Sequence, residues 1–469
     1  MLPREIFFDV RLDSVLGQDT VSMLRSNCEN KDRLLRAELF YMLESPETFE
    51  RFKKCLSVLK DEAKAIVLVD ESNLALENYC LRTRTYKLYV AAVKSLISLG
   101  DCGRLLSDVA EYFLSNEKQA ILSDIESDLE RLENIFQKIK TGLISLSDKI
   151  WVTPDCDSIG EYDRIAGLAE NLGFSVNKKR SLKTKMDSAF DSALSSLYSS
   201  ELAELKEIFN KYDAVDLSEP LVYIPEMSFF VEIMNLVKKA ERQGIPHCYP
   251  VISEKVKYYA KDVYDISLLS KNCEHIIPND VDFSQAESVF FLTGANSGGK
   301  TTYLRAVGAN LLLYLAGCPI FAKRAEIYPF EFVASHFPKD ERFDRTGRLG
   351  EELKRVKEML DIAKNKKSFL IFNEMFSGAD ERRGYELLMS AANEIKEEKH
   401  IALFVTHFHN VLDEEFPVLS AQVHPLDENK RTYKIIKQKG RASSYAADIL
   451  KKYGIDKESL SNRRNADGN

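Results

Sequence analysis

The octapeptide Gly294-Ala295-Asn296-Ser297-Gly298-Gly299-Lys300-Thr301 organises the reading of the whole chain. A glycine, four residues and then Gly-Lys-Thr is the P-loop spacing, in which backbone N–H groups turn inward around phosphate oxygens at the positive end of a helix. The flanks agree with that motif. The apolar run Val289-Phe290-Phe291-Leu292 precedes it, and an uncharged stretch from Ala306 to Ala322 follows it. That stretch approaches the length of a bilayer-spanning helix, but it contains Asn310, Gly317 and Pro319 and is expected to be a buried helix ending near Gly317.

Two further runs, Phe369-Leu370-Ile371-Phe372 and Ala402-Leu403-Phe404-Val405, are apolar throughout and are followed at once by polar residues. Continuous apolar runs suit central strands of a parallel sheet covered on both faces. Ligands of such sheets bind at the carboxyl ends of the strands, so the residues after the three runs are expected to converge. In that arrangement Gly294 through Thr301 and Thr302 hold ATP, with Lys300 reaching the β/γ-phosphates and the Thr301 hydroxyl available to Mg²⁺. Asn373-Glu374 follows the second run where an acidic pair is usual. The Asn373 amide oxygen can accept hydrogen bonds from metal-bound waters without a negative charge, and Glu374 is the candidate to polarise the attacking water. Thr406-His407 follows the third run, placing His407 to touch the γ-phosphate, with His409 close enough to serve equally.

The first half of the chain reads as helix after helix. Ile125, Leu129, Leu132, Ile135, Phe136, Ile139 and Leu143 recur every three or four positions, as do apolar residues from Met186 to Phe209 and from Phe229 to Ala240. Ser45-Pro46 predicts a helix start, with proline at the first helical position. The character changes near Gly244-Ile245-Pro246. The expected domains are therefore 1–245, mostly α-helical, and 246–469, an α/β domain with a mainly parallel sheet.

The 469 residues carry 65 Lys+Arg against 73 Asp+Glu, for a net charge of -8, so any contact with nucleic acid has to come from a local basic patch. Lys178, Lys179, Arg180, Lys183 and Lys185 form one such run; a phosphate-gripping tip and a solvated loop are both open readings of it. The eight cysteines are scattered without a Cys-x-x-Cys pair, which fits reduced thiols in a cytoplasmic protein better than a disulfide framework or a zinc site. The charged N-terminus lacks the apolar core of a signal peptide.

The block from Phe291 to Leu412 resembles the ATPase domain of the MutS family, the ABC-type ATPases of DNA mismatch repair. The likeness rests on Thr-Gly-Ala-Asn-Ser-Gly-Gly-Lys-Thr-Thr-Tyr-Leu-Arg at 293–305, Ala-Gly-Cys-Pro-Ile-Phe-Ala at 316–322, Asn373-Glu374 with Ser377-Gly378-Ala379-Asp380, and Val-Thr-His-Phe-His at 405–409. Leu34-Leu35-Arg36 through Ser45-Pro46 and Ser444-Tyr445-Ala446-Ala447 extend it more weakly.

The resemblance implies a homodimer in which each ATP is closed by a signature segment of the partner. Here that segment falls on Thr346-Gly347-Arg348-Leu349-Gly350-Glu351-Glu352, with Gly347 and Arg348 as the trans contacts. It also implies a helical core and lever before the ATPase domain, a reduced clamp around 150–190, and a short C-terminal dimerisation segment. The match to the family's Phe-x-Glu mismatch wedge at Phe230-Val231-Glu232 lies inside an amphipathic helix and is expected to be coincidental; the resemblance is to a member without the mismatch-recognition domain.

The implied function is ATP hydrolysis in a dimer that moves helical arms around nucleic acid, with DNA first, mismatched or branched. A nucleotide-gated switch of very low turnover and a ribosome-directed ATPase are the alternatives within this reading, and a small-molecule kinase is the generic P-loop rival. No membrane association is expected.

Overall fold

The computed structural model describes residues 2–26, 28–71, 75–145, 198–271, 275–294, 297–338, 345–424 and 427–438. In chain order these form helices α1 (Glu5–Asp9), α2 (Gln18–Leu24), α3 (Asn30–Met42), α4 (Pro46–Glu71), α5 (Ala75–Ser98), α6 (Arg104–Phe113), α7 (Asn116–Ser145), α8 (Ser199–Lys211) and α9 (Ile224–Arg242). Strands β1 (Val251–Ile252), β2 (Lys257–Val263), β3 (Asn279–Ser284) and β4 (Val289–Gly294) come next, then α10 (Lys300–Leu315), β5 (Arg324–Ile327), β6 (Phe332–His336) and α11 (Arg345–Ala363). The series closes with β7 (Ser368–Asn373), α12 (Glu381–Glu397), β8 (Ile401–Val405), β9 (Val418–His424) and β10 (Asp427–Lys437).

The chain divides into two compact units, Met1–Phe40 with Phe229–Asn469, and Tyr41–Ser228. That division differs from a boundary at 245/246. Helical periodicity reports that a face is buried but not against what. Thus α9 places Phe229 and Phe230 against Phe40 of α3, while the Glu232 carboxylate accepts the Gly17 N–H at 2.6 Å and the Thr20 hydroxyl. The Phe-x-Glu triplet is packing and helix anchoring.

In the unit containing α10, the larger sheet has the order β10-β9-β4-β8-β7-β6, with β9 through β6 parallel and β10 antiparallel to β9. All three apolar runs are central strands, as their composition requires. Phe291, Leu370, Phe372 and Phe404 face Val356 and Leu360 of α11 and Leu388 and Ile395 of α12 in one core. Phe372 and Phe404 stack at 4.4 Å with planes 8° apart, worth about 1 kcal/mol beyond the area they bury. Phe290 meets Phe283 of the second sheet, whose order is β1-β5-β2-β3.

The uncharged stretch after the P-loop is this unit's buried helix α10. Asn310, which no bilayer would satisfy, donates to Tyr264 O and Ala306 O and accepts the Phe321 N–H at 2.7 Å. Gly308 lets the N-terminal segment approach, since a Cβ there would lie 2.6 Å from Val10 Cγ1. Among the described residues, Glu219–Arg242 is long and apolar enough to cross a bilayer by length and composition; its Phe229, Phe230, Ile233, Met234 and Val237 are buried in protein.

The unit Tyr41–Ser228 is helical. Helix α4 begins at Pro46, as the Ser-Pro signal requires. Its core is built from Phe49, Phe52 and Leu59 of α4, Tyr86, Tyr89 and Val93 of α5, Leu132 and Ile135 of α7, and Leu205 and Phe209 of α8. The expected helix from Met186 lies partly outside the described residues, which resume before α8; the basic run Lys178, Lys179, Arg180, Lys183 and Lys185 lies wholly outside them.

Candidate functional site

Strand β4 ends at Gly294, whose φ is 117° and where a Cβ would sit 2.9 Å from Ala421 O of β9. Only glycine takes that conformation and that approach without strain. The chain re-enters the described residues at Ser297 (φ 61°), and Gly299 (φ 92°) caps α10 in the left-handed region. Ala295 and Asn296 lie outside the described residues. Gly298 is buried, while Gly299, Thr301 and Thr302 are half-buried.

Lys300 is buried and donates from Nζ to Gly294 O at 2.7 Å. Burial lowers its pKa; Glu374 acts against that shift and Arg431 of β10 acts with it. An anion arriving there would restore the lysine's charge stabilisation, which makes the site electrostatically ready for phosphate.

Strand β7 delivers Asn373 to the same sheet edge, opposite Val405 of β8. Glu374 follows with φ 52°, its N–H bonded to Val405 O at 2.9 Å. Strand β8 lies between β4 and β7, so the residues after it fall between the P-loop and Glu374. There His407 Nε2 lies 2.8 Å from Glu374 Oε1, with both side chains part-exposed at 44% and 35%. Thr406 is buried and its hydroxyl accepts the Phe408 N–H, fixing the turn that carries His407. Glu374 and His407 thus meet as expected; His409 heads the short turn His409–Asp413.

Asn373 Oδ1 is buried without a hydrogen-bond partner. An acceptor oxygen in that state normally has an unseen donor, so it fits the water shell of a hard divalent cation. The half-buried Thr301 opens α10 after β4 and supplies a hydroxyl. No group of three or more His, Cys, Asp and Glu among the described residues could hold a metal by itself. The donor set therefore fits Mg²⁺ carried with phosphate and water, since that ion keeps several waters and takes few protein ligands.

Gly347 and Arg348 stand in the first turn of α11. One turn further, Glu352 Oε1 lies 2.9 Å from His336 Nε2 at the end of β6 and accepts the Phe376 N–H at 3.0 Å. Sequence reasoning gave no role to His336, and to Glu352 only a place in the signature segment. It also passed over Arg431 and over Tyr433, whose ring would lie 3.4 Å from a Cβ at Gly299. Only the acidic doublet Glu351-Glu352 was a signal, and it does not say which carboxylate turns inward.

Residues 290–465 match MutS domain V. The chain is 29% identical over 198 residues, 40% of its length, to the DNA mismatch repair protein MutS of Caldicellulosiruptor bescii, of which the match covers 23%. It is 24% identical over 262 residues, 50% of its length, to the DNA mismatch repair protein MSH6 of Saccharomyces cerevisiae, covering 21% of that protein. With the endonuclease MutS2 of Staphylococcus aureus it shares 24% identity over 229 residues, 47% of its length and 31% of that protein's. The chain thus spans less than a third of each of these relatives. The domain V match and the motifs gathered at the sheet edge lead to one conclusion: residues 290–465 are a domain of the MutS family.

Proposed function

We propose that this chain is an ATP-binding and ATP-hydrolysing MutS-type protein, with an ABC-type P-loop ATPase domain, that closes as a homodimer on nucleotide and moves helical segments around DNA. The observation that carries the reading is the Glu374–His407 pair beside buried Lys300, at the ends of adjacent parallel strands. In it, the N–H groups from Ser297 to Thr302 and the Lys300 ammonium receive the phosphates. Glu374 accepts a hydrogen bond from the attacking water and aligns it with the γ-phosphorus; water adds, the bond to the β-phosphate oxygen breaks, and ADP and phosphate leave. His407 orients the Glu374 carboxylate and stands where a γ-phosphate would be sensed. Mg²⁺, when bound, neutralises phosphate charge; Thr301 would ligate it, and Asn373 and Glu374 would hold its waters.

The relatives' names make DNA the first nucleic acid to try. Gly347 and Arg348 at the start of α11 are the proposed contacts to the partner's nucleotide, and Lys178, Lys179, Arg180, Lys183 and Lys185 the proposed contacts to a phosphate backbone. The test is steady-state ATP hydrolysis against a Lys300→Ala control, alone and with single-stranded, duplex, mismatched and branched DNA. Turnover stimulated by one DNA form supports the reading. Tight ATP binding with no turnover, which the uncharged Asn373 would favour, turns it into a nucleotide-gated switch. Turnover that only a small acceptor elicits contradicts it.

A further inference from the structure

The loop after Glu374 is held in an uncommon conformation. Glu374 and Phe376 are both left-handed, at φ 52° and 60°, without being glycine. Each such residue is strained and persists only where its surroundings hold it. Within the loop, the Ser377 N–H reaches Glu374 O at 3.3 Å and the Ala379 N–H reaches Phe376 O at 3.0 Å. Met375 and Phe376 are buried in the core shared with α11 and α12.

The remaining hold comes from a different element. Glu352 of α11 is 24 residues away in sequence, and its Oε1 takes both the Phe376 N–H and His336 Nε2. The carboxylate is 11% exposed and the imidazole 7%. Bonds to a shielded carboxylate are among the stronger ones available. One oxygen therefore ties the end of β6, the helix that begins with the proposed partner contacts, and the loop that presents Glu374.

We propose that Glu352 is a positioning residue: its bond to the Phe376 N–H sets the place of the Glu374 carboxylate, so that displacement of α11 is felt at the water-activating group. The proposal rests on the ATPase reading above for its kinetic consequence, but not for its structural one.

The test compares Glu352→Asp, which keeps the charge but falls one methylene short, with Glu352→Gln, which keeps the reach and an acceptor oxygen. In the full chain, Glu352→Asp is expected to lower kcat for ATP by roughly ten- to a hundredfold, as misplacement of a reacting group does, with KM within about twofold. Glu352→Gln should recover kcat to within about threefold. Amide hydrogen exchange supplies the second readout: Glu352→Asp should speed exchange at 374–377 by about tenfold or more and leave β7 unchanged.

Wild-type kcat in Glu352→Asp, or a loss that falls on KM, overturns the proposal. Unchanged exchange at 374–377 overturns it whether or not the protein turns over ATP. A wild-type chain with no turnover above Lys300→Ala instead defeats the ATPase reading, and the exchange comparison still decides whether Glu352 anchors the loop.

Discussion

The sheet edge around Gly294, Asn373 and His407 and the helical unit Tyr41–Ser228 treat polar groups in opposite ways. In the helical unit Asp128 is surrounded by donors: the Tyr212 hydroxyl at 2.6 Å, Arg131 at 2.9 Å and Lys211 at 3.1 Å. Burial alone would raise its pKa, but these three donors bring it below the ordinary carboxylate range. Glu219 likewise receives Lys118 on both oxygens at 2.7 Å, and Arg82 pairs with Asp213. At the sheet edge, capacity is left over. Asn373 Oδ1 has no partner, Glu374 holds a part-exposed imidazole, and four positions, Gly294, Ser297, Gly299 and Glu374, run at positive φ. Satisfied networks give rigidity, whereas strain and unspent hydrogen-bonding capacity mark the place where a ligand completes the structure.

The largest expected effect tests the sheet edge. Glu374→Gln should keep ATP affinity and lose roughly 10²–10⁴ in kcat, measured in single turnover, since it removes the group aligned on water while the phosphate cradle survives. Fast hydrolysis by that variant would exclude Glu374 from the role and remove the contrast with Asp128.

The second sharpens the comparison at its exception. Glu62 of α4 is fully buried with neither oxygen hydrogen-bonded, and burial pushes its pKa up to about 8. Its folded pKa lies above the unfolded one, so the folded state holds the extra proton between them. Stability is thus complete below the unfolded carboxylate pKa and falls as pH rises through about 8. Between pH 6 and 9 the loss should be roughly 3 kcal/mol. Glu62→Gln should flatten it in urea titrations of the helical unit's unfolding; an unaltered pH profile would show that Glu62 is not the group responsible.

Asp128→Asn comes third. It should destabilise the chain by roughly 1–3 kcal/mol without moving KM for ATP, because its donors lose their acceptor charge far from any reacting atom in sequence and role. A matching loss in kcat at full folding would mean that the helical network serves catalysis after all. The smallest effect is expected from Asn373→Asp, a few-fold fall in the Mg²⁺ concentration for half-maximal turnover, because a charge is added to an oxygen already in place. No change would mean that Asn373 Oδ1 does not face the ion's water shell.

These contrasts were unequally legible in the sequence. The three central strands could be read because a strand covered on both faces leaves no room for polar alternation, as Val289–Leu292, Phe369–Phe372 and Ala402–Val405 display. The meeting of Glu374 and His407 followed, since parallel neighbours deliver their carboxyl ends to one edge. The membership of α1–α3 and α9 was not legible, because the period of α9 is the same whether Phe230 packs on Phe40 or on another helix. Glu352 stayed hidden because a helix-to-loop bond over 24 residues leaves no periodic trace. Arg431 and Tyr433 were missed for a different reason: β10 pairs with β9 through register shifts on either side of Arg431, which alternation cannot report.

The central claim is that this sheet edge holds the phosphates of ATP, and the most direct measurement is a calorimetric titration of the full chain with ATP and Mg²⁺, beside Lys300→Ala. Saturable binding by the wild-type chain is expected, weakening by about a hundredfold or more when the buried ammonium is removed. Equal affinity in the two proteins would contradict it.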